Sequence, residues 1–342
     1  MAPSILMPDG TPEFGVFSGI PVEVDYSQLA EPWSRNALQR FLRHKRWLYL
    51  FAATDDIILI SAIVDAGPTG TGFLMITDRA TGEVLADASR PGGAGPLTGV
   101  NDSPLNGHRS HYAVPGTLIT ARGDDVELHY RAQLHKIPFV PLYSDPWIEL
   151  DLRLATDVHS GITAISEIDQ DPPMVTATAK NAGLPARGQV TLRRGGHITE
   201  YDLSSGYGGF DYTNGFLPRH TAWRWAFMTG VLADGRPVGL NLVSGFSGIG
   251  DNAHENVCWL NGHPHSLDPA ARILFDSGDT SHPWQVTTPD GAVDLLFTPL
   301  AEHRENLNLG AVRSRYVQPV GHFSGTMHID GETVVVDALP GV

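Results

Sequence analysis

The chain predicts a mainly β protein built as two antiparallel β-barrel domains with one short N-terminal helix. Three observations carry that reading. Apolar residues alternate with period two along much of the chain, tight-turn dipeptides recur between the alternating runs, and one segment alone has convincing helical spacing.

The elements follow in order. Ser34 is a helix-capping residue type, and Leu38, Phe41 and Leu42 behind it share one face of a helix ending near Lys45. Arg40, Arg43, His44, Lys45 and Arg46 form the single basic run, read as the solvated end of that helix. Strands are expected at 47–51, 57–64, 73–77 and 84–88, with a turn at Thr81-Gly82. Residues 88–110 are rich in Gly, Pro, Asn and Ser and predict a long irregular loop. Strands resume at 117–121, 126–134 and 147–155. In the second half Asp234-Gly235, Asn261-Gly262, Asp290-Gly291 and Asp330-Gly331 each separate two alternating runs, as hairpin turns do. Trp284, Val286, Val293, Leu295 and Phe297 can share one face across the third of these. Hairpins without intervening helices favour an antiparallel sheet that closes to protect its edges. The domain boundary is expected near 155–185, giving domains 1–175 and 176–342.

Composition narrows the function classes. The 342 residues carry a formal charge of −15, which repels phosphate backbones, so no nucleic-acid partner is expected. Cys258 is the sole cysteine, which excludes an intrachain disulfide and a cysteine-rich zinc site. Met1 to Gly10 lack a basic n-region and an apolar core, and the apolar run 57–64 is too short to span a bilayer. A cytoplasmic location without a membrane span is expected. No phosphate-binding loop, nucleophile elbow or His-Glu-x-x-His motif occurs, and Gly248-Ile-Gly250 is too short for a dinucleotide fingerprint. His108, His111, His263 and His265 lack ligand spacing on a rigid element, so no metal and no cofactor are expected.

The densest unusual chemistry lies at 207–260. Trp223 and Trp225 are two apart, so both indoles point the same way on a strand. They can pack a core or form an aromatic wall for an apolar ligand or a cation-like centre. Asp211, Arg219 and His220 precede them, and Asp211 can either act as an acid or pair with Arg219. Strand parity from Val257 and Trp259 carries Glu255 inward, with Asn256 beside it. A carboxyl buried without a full cationic partner stays protonated near neutral pH and can serve as an acid. The bland alternative is a buried Glu that hydrogen-bonds a turn. His303, Glu305, Gln318 and His322 offer further polar groups near strand ends.

Several motifs in order resemble one family. Thr178-Ala-Lys-Asn-Ala-Gly, Phe210-Asp-Tyr-Thr-Asn-Gly-Phe-Leu-Pro-Arg, Trp223-Arg-Trp-Ala, Gly239-Leu-Asn-Leu, Glu255-Asn256, Trp284, and Gln318 with Gly321 and Phe323-Ser-Gly resemble the DUF2804 family. That resemblance implies a two-barrel, lipocalin-like fold, distantly similar to carotenoid 1,2-hydratases and terpenoid cyclases. It implies a cofactor-independent lyase or isomerase that hydrates, isomerises or cyclises an apolar, isoprenoid-like molecule by acid catalysis. On this reading Glu255, Asp211 and His220 are catalytic, and Trp223, Trp225, Arg219, Asn256, Trp259 and Gln318 bind substrate. The alternatives are a non-catalytic carrier of a hydrophobic ligand and an interaction module with a filled interior. Oligomeric state is left open, a homodimer included.

Overall fold

The computed structural model describes residues 4–135, 147–219, 221–245, 255–267, 270–308 and 313–342. These residues form two curled antiparallel sheets, each a half-barrel. The first has fourteen strands among the described residues. Its main path runs Val84–Pro91, Gly70–Asp78, Ile57–Asp65, His44–Ala53, Tyr207–Phe216, Met174–Arg194, Trp147–Ala155, Glu127–Leu134, Thr117–Gly123, Arg109–Val114 and Thr98–Val100. The second has nine, in the order His263–Ser266, Val257–Leu260, Pro237–Ser244, Arg224–Val231, Glu332–Gly341, Arg313–Ile329, Val293–Asn308, Trp284–Thr287 and Arg272–Leu274. No helix among the described residues is long and apolar enough to cross a membrane.

Parity explains the layering. Glu127–Leu134 alternates buried and solvent-facing residues because only one of its faces is covered. Residues 48–53 and 57–63 read instead as nearly unbroken apolar runs, because both faces are buried. Leu48, Leu50 and Ala52 join the interior of the first sheet, with Leu152, Phe210 and Tyr212. Tyr49, Phe51, Ile58 and Ile60 face the other way, against Phe227, Val257, Trp259 and Val320 of the second sheet. The second sheet has its own apolar interior of Met228, Leu240, Trp284, Val286, Val293, Leu295, Phe297 and Phe323. The face expected for Trp284 to Phe297 is therefore present.

The sheets approach closely at the crossing of Met174–Arg194 and Pro237–Ser244. A Cβ on Gly239 would lie 2.5 Å from the Cβ of Ala182, so no larger residue fits there without displacement. The hairpin dipeptides do their expected work: Asn261 and Asp330 both take positive φ between paired strands.

Several expectations are corrected. The helix spans Ala37–Arg43, capped by Asn36 and Gln39 in a capping box rather than by Ser34. Leu38, Phe41 and Leu42 do share a face, but it points to solvent, and they are 67%, 55% and 42% exposed. Seven residues give too little helix to cover a core, and the strand that follows supplies the burial. The basic run is not solvated throughout. His44, Lys45 and Arg46 belong to the strand, where Arg46 pairs with Asp65 at 2.7 Å and Lys45 reaches the Ala66 carbonyl. The segment 88–110 contains a short 3-10 turn, the whole strand Thr98–Val100 and the ends of two others rather than one long loop. The change of sheet falls between Phe216 and Arg224, so residues 176–216 complete the first sheet.

Candidate functional site

The layer between the sheets carries the polar chemistry. On Met174–Arg194, Thr178 and Lys180 share the face that looks toward the second sheet. Ala177 and Ala179 point into the first sheet's interior. On the neighbouring Tyr207–Phe216 the same parity places Asp211 directly beside Lys180 in register. Glu255 enters from the other sheet, immediately before Val257–Leu260.

These three side chains meet. Lys180 Nζ lies 2.8 Å from Asp211 Oδ2 and 2.8 Å from Glu255 Oε2. Thr178 Oγ1 donates to Glu255 Oε2 at 2.9 Å, and Thr213 Oγ1 to Asp211 Oδ1 at a longer 3.4 Å. The lysine side chain is 3% exposed and each acidic side chain 10%. Burial disfavours the Lys180 ammonium, but the charges of Asp211 and Glu255 outweigh it and hold its pKa above the usual lysine value. Burial pushes the Asp211 carboxyl above the usual aspartate range. Lys180 pulls it back, Glu255 adds to the rise, and the net direction is upward.

Aromatic rings surround this cluster. Lys180 Nζ stands 5.5 Å over the Trp225 ring, and Trp225 packs edge-on against Tyr49 at 4.9 Å. Trp225 Nε1 donates to Asn241 Oδ1 at 2.7 Å, and Asn241 Nδ2 donates to the Glu255 carbonyl at 2.6 Å. The indole therefore helps to fix the acidic residue. Gln318 Nε2 donates to Tyr49 Oη at 2.9 Å. Burial raises the Tyr49 pKa well above the ordinary phenol value, so the hydroxyl stays protonated.

The expected residues are placed as follows. Asp211, Glu255, Trp225 and Gln318 converge on one layer. Trp223 is on the same side as Trp225, stacked on Trp47 at 6.3 Å, but is 46% exposed and forms the rim. Trp259 is fully buried, its Nε1 donating to the Ser160 carbonyl at 2.7 Å. Asn256 is buried and its Oδ1 accepts from the Val243 amide at 2.7 Å, which anchors the segment entering Val257–Leu260. Arg219 is exposed, and Asp211 pairs with Lys180 instead of with it. His220 lies outside the described residues.

Two premises are overturned. Glu255 is not a carboxyl without a cationic partner, because Lys180 lies within ion-pair distance. The cluster is also not inside a barrel formed by the C-terminal half; it lies between the sheets, while the second sheet's interior is apolar. Lys180 is the residue missed. A lysine between Ala179 and Asn181 in a strand of small residues was a usable signal, since such a cation needs an acidic partner across the fold. Among the described residues no three His, Cys, Asp or Glu side chains gather as metal ligands. A surface groove lined by Arg131, Gln133, Glu149 and Asp151 lies on the solvent face of the first sheet, away from this cluster.

Two curled antiparallel sheets packed through a polar–aromatic layer define a lipocalin-like, two-half-barrel protein. The chain matches the family described as "Domain of unknown function (DUF2804)" over residues 2–342, and it belongs to that family. Among solved structures it is similar to kievitone hydratase from Nectria haematococca, with a TM-score of 0.53 and 10% sequence identity, covering 96% of this chain and 97% of that one. A structure of CghA with Sch210972 is similar with a TM-score of 0.49 and 12% identity, covering 98% and 95%. At such identities the likeness is one of fold. No curated protein sequence matches the chain.

Proposed function

We propose that this protein is a cofactor-independent lyase or isomerase that hydrates, isomerises or cyclises an apolar, isoprenoid-like small molecule in the layer between its sheets. One observation carries the reading: a buried lysine bridges two carboxylates, one of them with a raised pKa, beside aromatic faces. A structural ion pair needs one carboxylate per ammonium. The second carboxylate adds repulsion without a second cation, and a buried carboxyl shifted by a specific charge partner is a feature that concentrates at active sites.

The roles follow from the geometry. Asp211 Oδ2 is held by Lys180, while Oδ1 has only the long contact with Thr213 and is the oxygen suited to carry a transferable proton. Glu255 Oε1 makes no hydrogen bond among the described residues, so it can accept a proton or place a water. Because both carboxylates hold one Nζ, their bonded oxygens are no more than twice 2.8 Å apart. A proton passes from Asp211 to an alkene carbon or a leaving hydroxyl. The faces of Trp225 and Tyr49 shelter the developing positive charge, and Glu255 takes a proton from the substrate or the incoming water. The hydratase that shares the fold supports this class of chemistry by analogy only.

The test is turnover of a panel of unsaturated and hydroxylated isoprenoids by wild type and Asp211→Asn. A positioned acid is worth ~10²–10⁴-fold, so the variant should fold normally and lose that factor. Turnover unchanged in both Asp211→Asn and Glu255→Gln would end the acid mechanism. Tight binding of panel members with no turnover by wild type would make the protein a carrier.

A further inference from the structure

A second polar group occupies the far side of the same aromatic layer. His303 is 1% exposed and belongs to Val293–Asn308, where a bulge between Pro299 and Ala301 shifts the pairing with the next strand. Its ring stacks on Phe73 at 4.7 Å and 12°, and Tyr316 lies 5.7 Å away. Asp87 Oδ1 is 2.7 Å from His303 Nδ1. A carboxylate only accepts, so Nδ1 carries the proton and, in the neutral ring, Nε2 is a bare lone pair. That Nε2 is buried and has no hydrogen-bond partner among the described residues. Leaving such an atom unmatched costs stability, and a group held in one tautomer with its other face unpartnered suits a hydrogen-bonding ligand.

The position of His303 relative to the acidic cluster gives that acceptor its meaning. Trp225 to Tyr49, Tyr49 to Phe73 and Phe73 to His303 are successive ring contacts of 4.9, 6.2 and 4.7 Å. His303 also lies opposite Gln318 in register, and Gln318 holds the Tyr49 hydroxyl. One aromatic series thus has Lys180, Asp211 and Glu255 at one end and an imidazole lone pair at the other. Glu305, two residues along, accepts from Ser89 Oγ at 3.1 Å and makes no hydrogen bond with Nε2.

From this juxtaposition we infer that His303 is a substrate-orienting residue whose Nε2 accepts a hydrogen bond from a hydroxyl at the end of the ligand remote from Asp211. The ligand class is therefore an elongated apolar molecule with a hydroxyl donor at the end away from Lys180, Asp211 and Glu255. The inference rests on the proposed function only in taking the inter-sheet layer as the ligand site. Asp87 is a positioning residue that fixes the tautomer. Half-buried Tyr316 and Gln318 flank this end of the layer.

The test needs no natural substrate. 2-Naphthol, an apolar bicycle with one hydroxyl, is compared with 2-methoxynaphthalene, which can only accept. Binding is read by tryptophan fluorescence, and the His303 ring nitrogens by long-range nitrogen–proton NMR assigned through His303→Phe. Wild type should hold the Nδ1–H tautomer, bind 2-naphthol about tenfold more tightly than its methyl ether, and show the Nε2 signal move with 2-naphthol alone. One hydrogen bond to a buried acceptor sustains a ratio of that order. His303→Phe keeps a ring against Phe73 and should bring the ratio near one. If that variant does not fold, the wild-type tautomer and the Nε2 response decide alone. An Nε2–H tautomer, an Nε2 signal unmoved by 2-naphthol, or no 2-naphthol binding at millimolar concentration overturns the inference; the second outcome would mean a buried water is the partner. An intact 2-naphthol response with no wild-type turnover on the isoprenoid panel would sink the enzyme reading and leave this one standing. Turnover with no hydroxyl preference would do the reverse.

Discussion

The interior of the second sheet and the layer between the two sheets are equally buried and built on opposite principles. Met228, Leu240, Val286, Val293, Leu295, Phe297 and Phe323 fill the first with apolar side chains. The second, on the other faces of some of the same strands, holds Lys180, Asp211, Glu255 and His303 among Tyr49, Phe73 and Trp225. Burying charge is costly even when it is paired, and similarly shaped apolar residues would stabilise such a layer at least as well. The contrast teaches where function resides. A region that keeps ionised groups where hydrocarbon would serve folding better is kept for something other than folding.

The largest expected effects break this comparison directly. Phe323→Ala should cost about 3–5 kcal/mol, the usual range for truncating a core aromatic, with little dependence on pH. Lys180→Met should cost a similar ~3–5 kcal/mol near neutrality, because two carboxylates lose their cation. Its deficit should shrink as pH falls and the carboxylates take up protons. Urea denaturation of both variants at about pH 5 and about pH 7.5 reads the difference. A pH-independent deficit in Lys180→Met would make the cluster as inert as the apolar interior.

Trp225→Phe sharpens the comparison at the boundary of the cluster. Phenylalanine keeps a ring near Tyr49 but leaves Asn241 Oδ1, in a fully buried side chain, without the indole N–H. The expected loss is ~1–3 kcal/mol in stability, the cost of an unmatched buried acceptor. Affinity for 2-naphthol should fall with it. A stable Phe variant with unchanged affinity would return Trp225 to plain packing.

Asp211 gives a smaller, pH-dependent effect. Its folded pKa lies above the ordinary value of 3.8. Such a group contributes stability that is fully present below the unfolded pKa and is lost as pH rises through the folded pKa. Asp211→Asn carries no such contribution. The unfolding free energy of wild type minus that of the variant should therefore decline from about pH 4 upward, by at most ~1.4 kcal/mol per pH unit, and then level off. A difference that instead grows over this range would mean a depressed Asp211 pKa and remove its role as proton donor.

The fold was more legible than the site for a physical reason. Period-two alternation and turn dipeptides such as Asn261-Gly262 are local, so they survive in the sequence whatever the neighbouring strands do. The strands 57–63 and 48–53 lack alternation because both faces are covered, and only tertiary structure reveals what covers each face. Parity did bring Glu255 and Trp225 forward, and Asp211 stood out in the unusual segment that precedes the tryptophans. It could not reveal Lys180 as their partner, since that contact joins residues 31 positions apart on adjacent strands with Glu255 of the other sheet. The same limit explains Leu38, Phe41 and Leu42. Helical spacing defines a face but not what, if anything, packs against it.

The smallest effect tests where the inter-sheet layer ends. Trp223 and Trp259 are both tryptophans of the second sheet's region, yet one is 46% exposed and the other fully buried. Trp223 lies face to face with Trp47 at an interplanar angle of 2°, and Trp47 is itself only half-buried. An aromatic pair of this kind is worth ~0.5–1.5 kcal/mol, so Trp223→Ala should destabilise by about that much. Trp259→Ala, which empties a fully buried site, should cost ~3–5 kcal/mol. If Trp223 is the rim through which an apolar ligand passes, its loss should weaken 2-naphthol binding severalfold while leaving the melting transition nearly in place. Thermal denaturation and fluorescence titration on the same samples separate the two quantities. A stability loss near that of Trp259→Ala would place Trp223 in the core and move the mouth elsewhere. Unchanged stability with unchanged affinity would make the stacked pair an ordinary surface feature, and the ligand site would then begin deeper, at Trp225 and Tyr49.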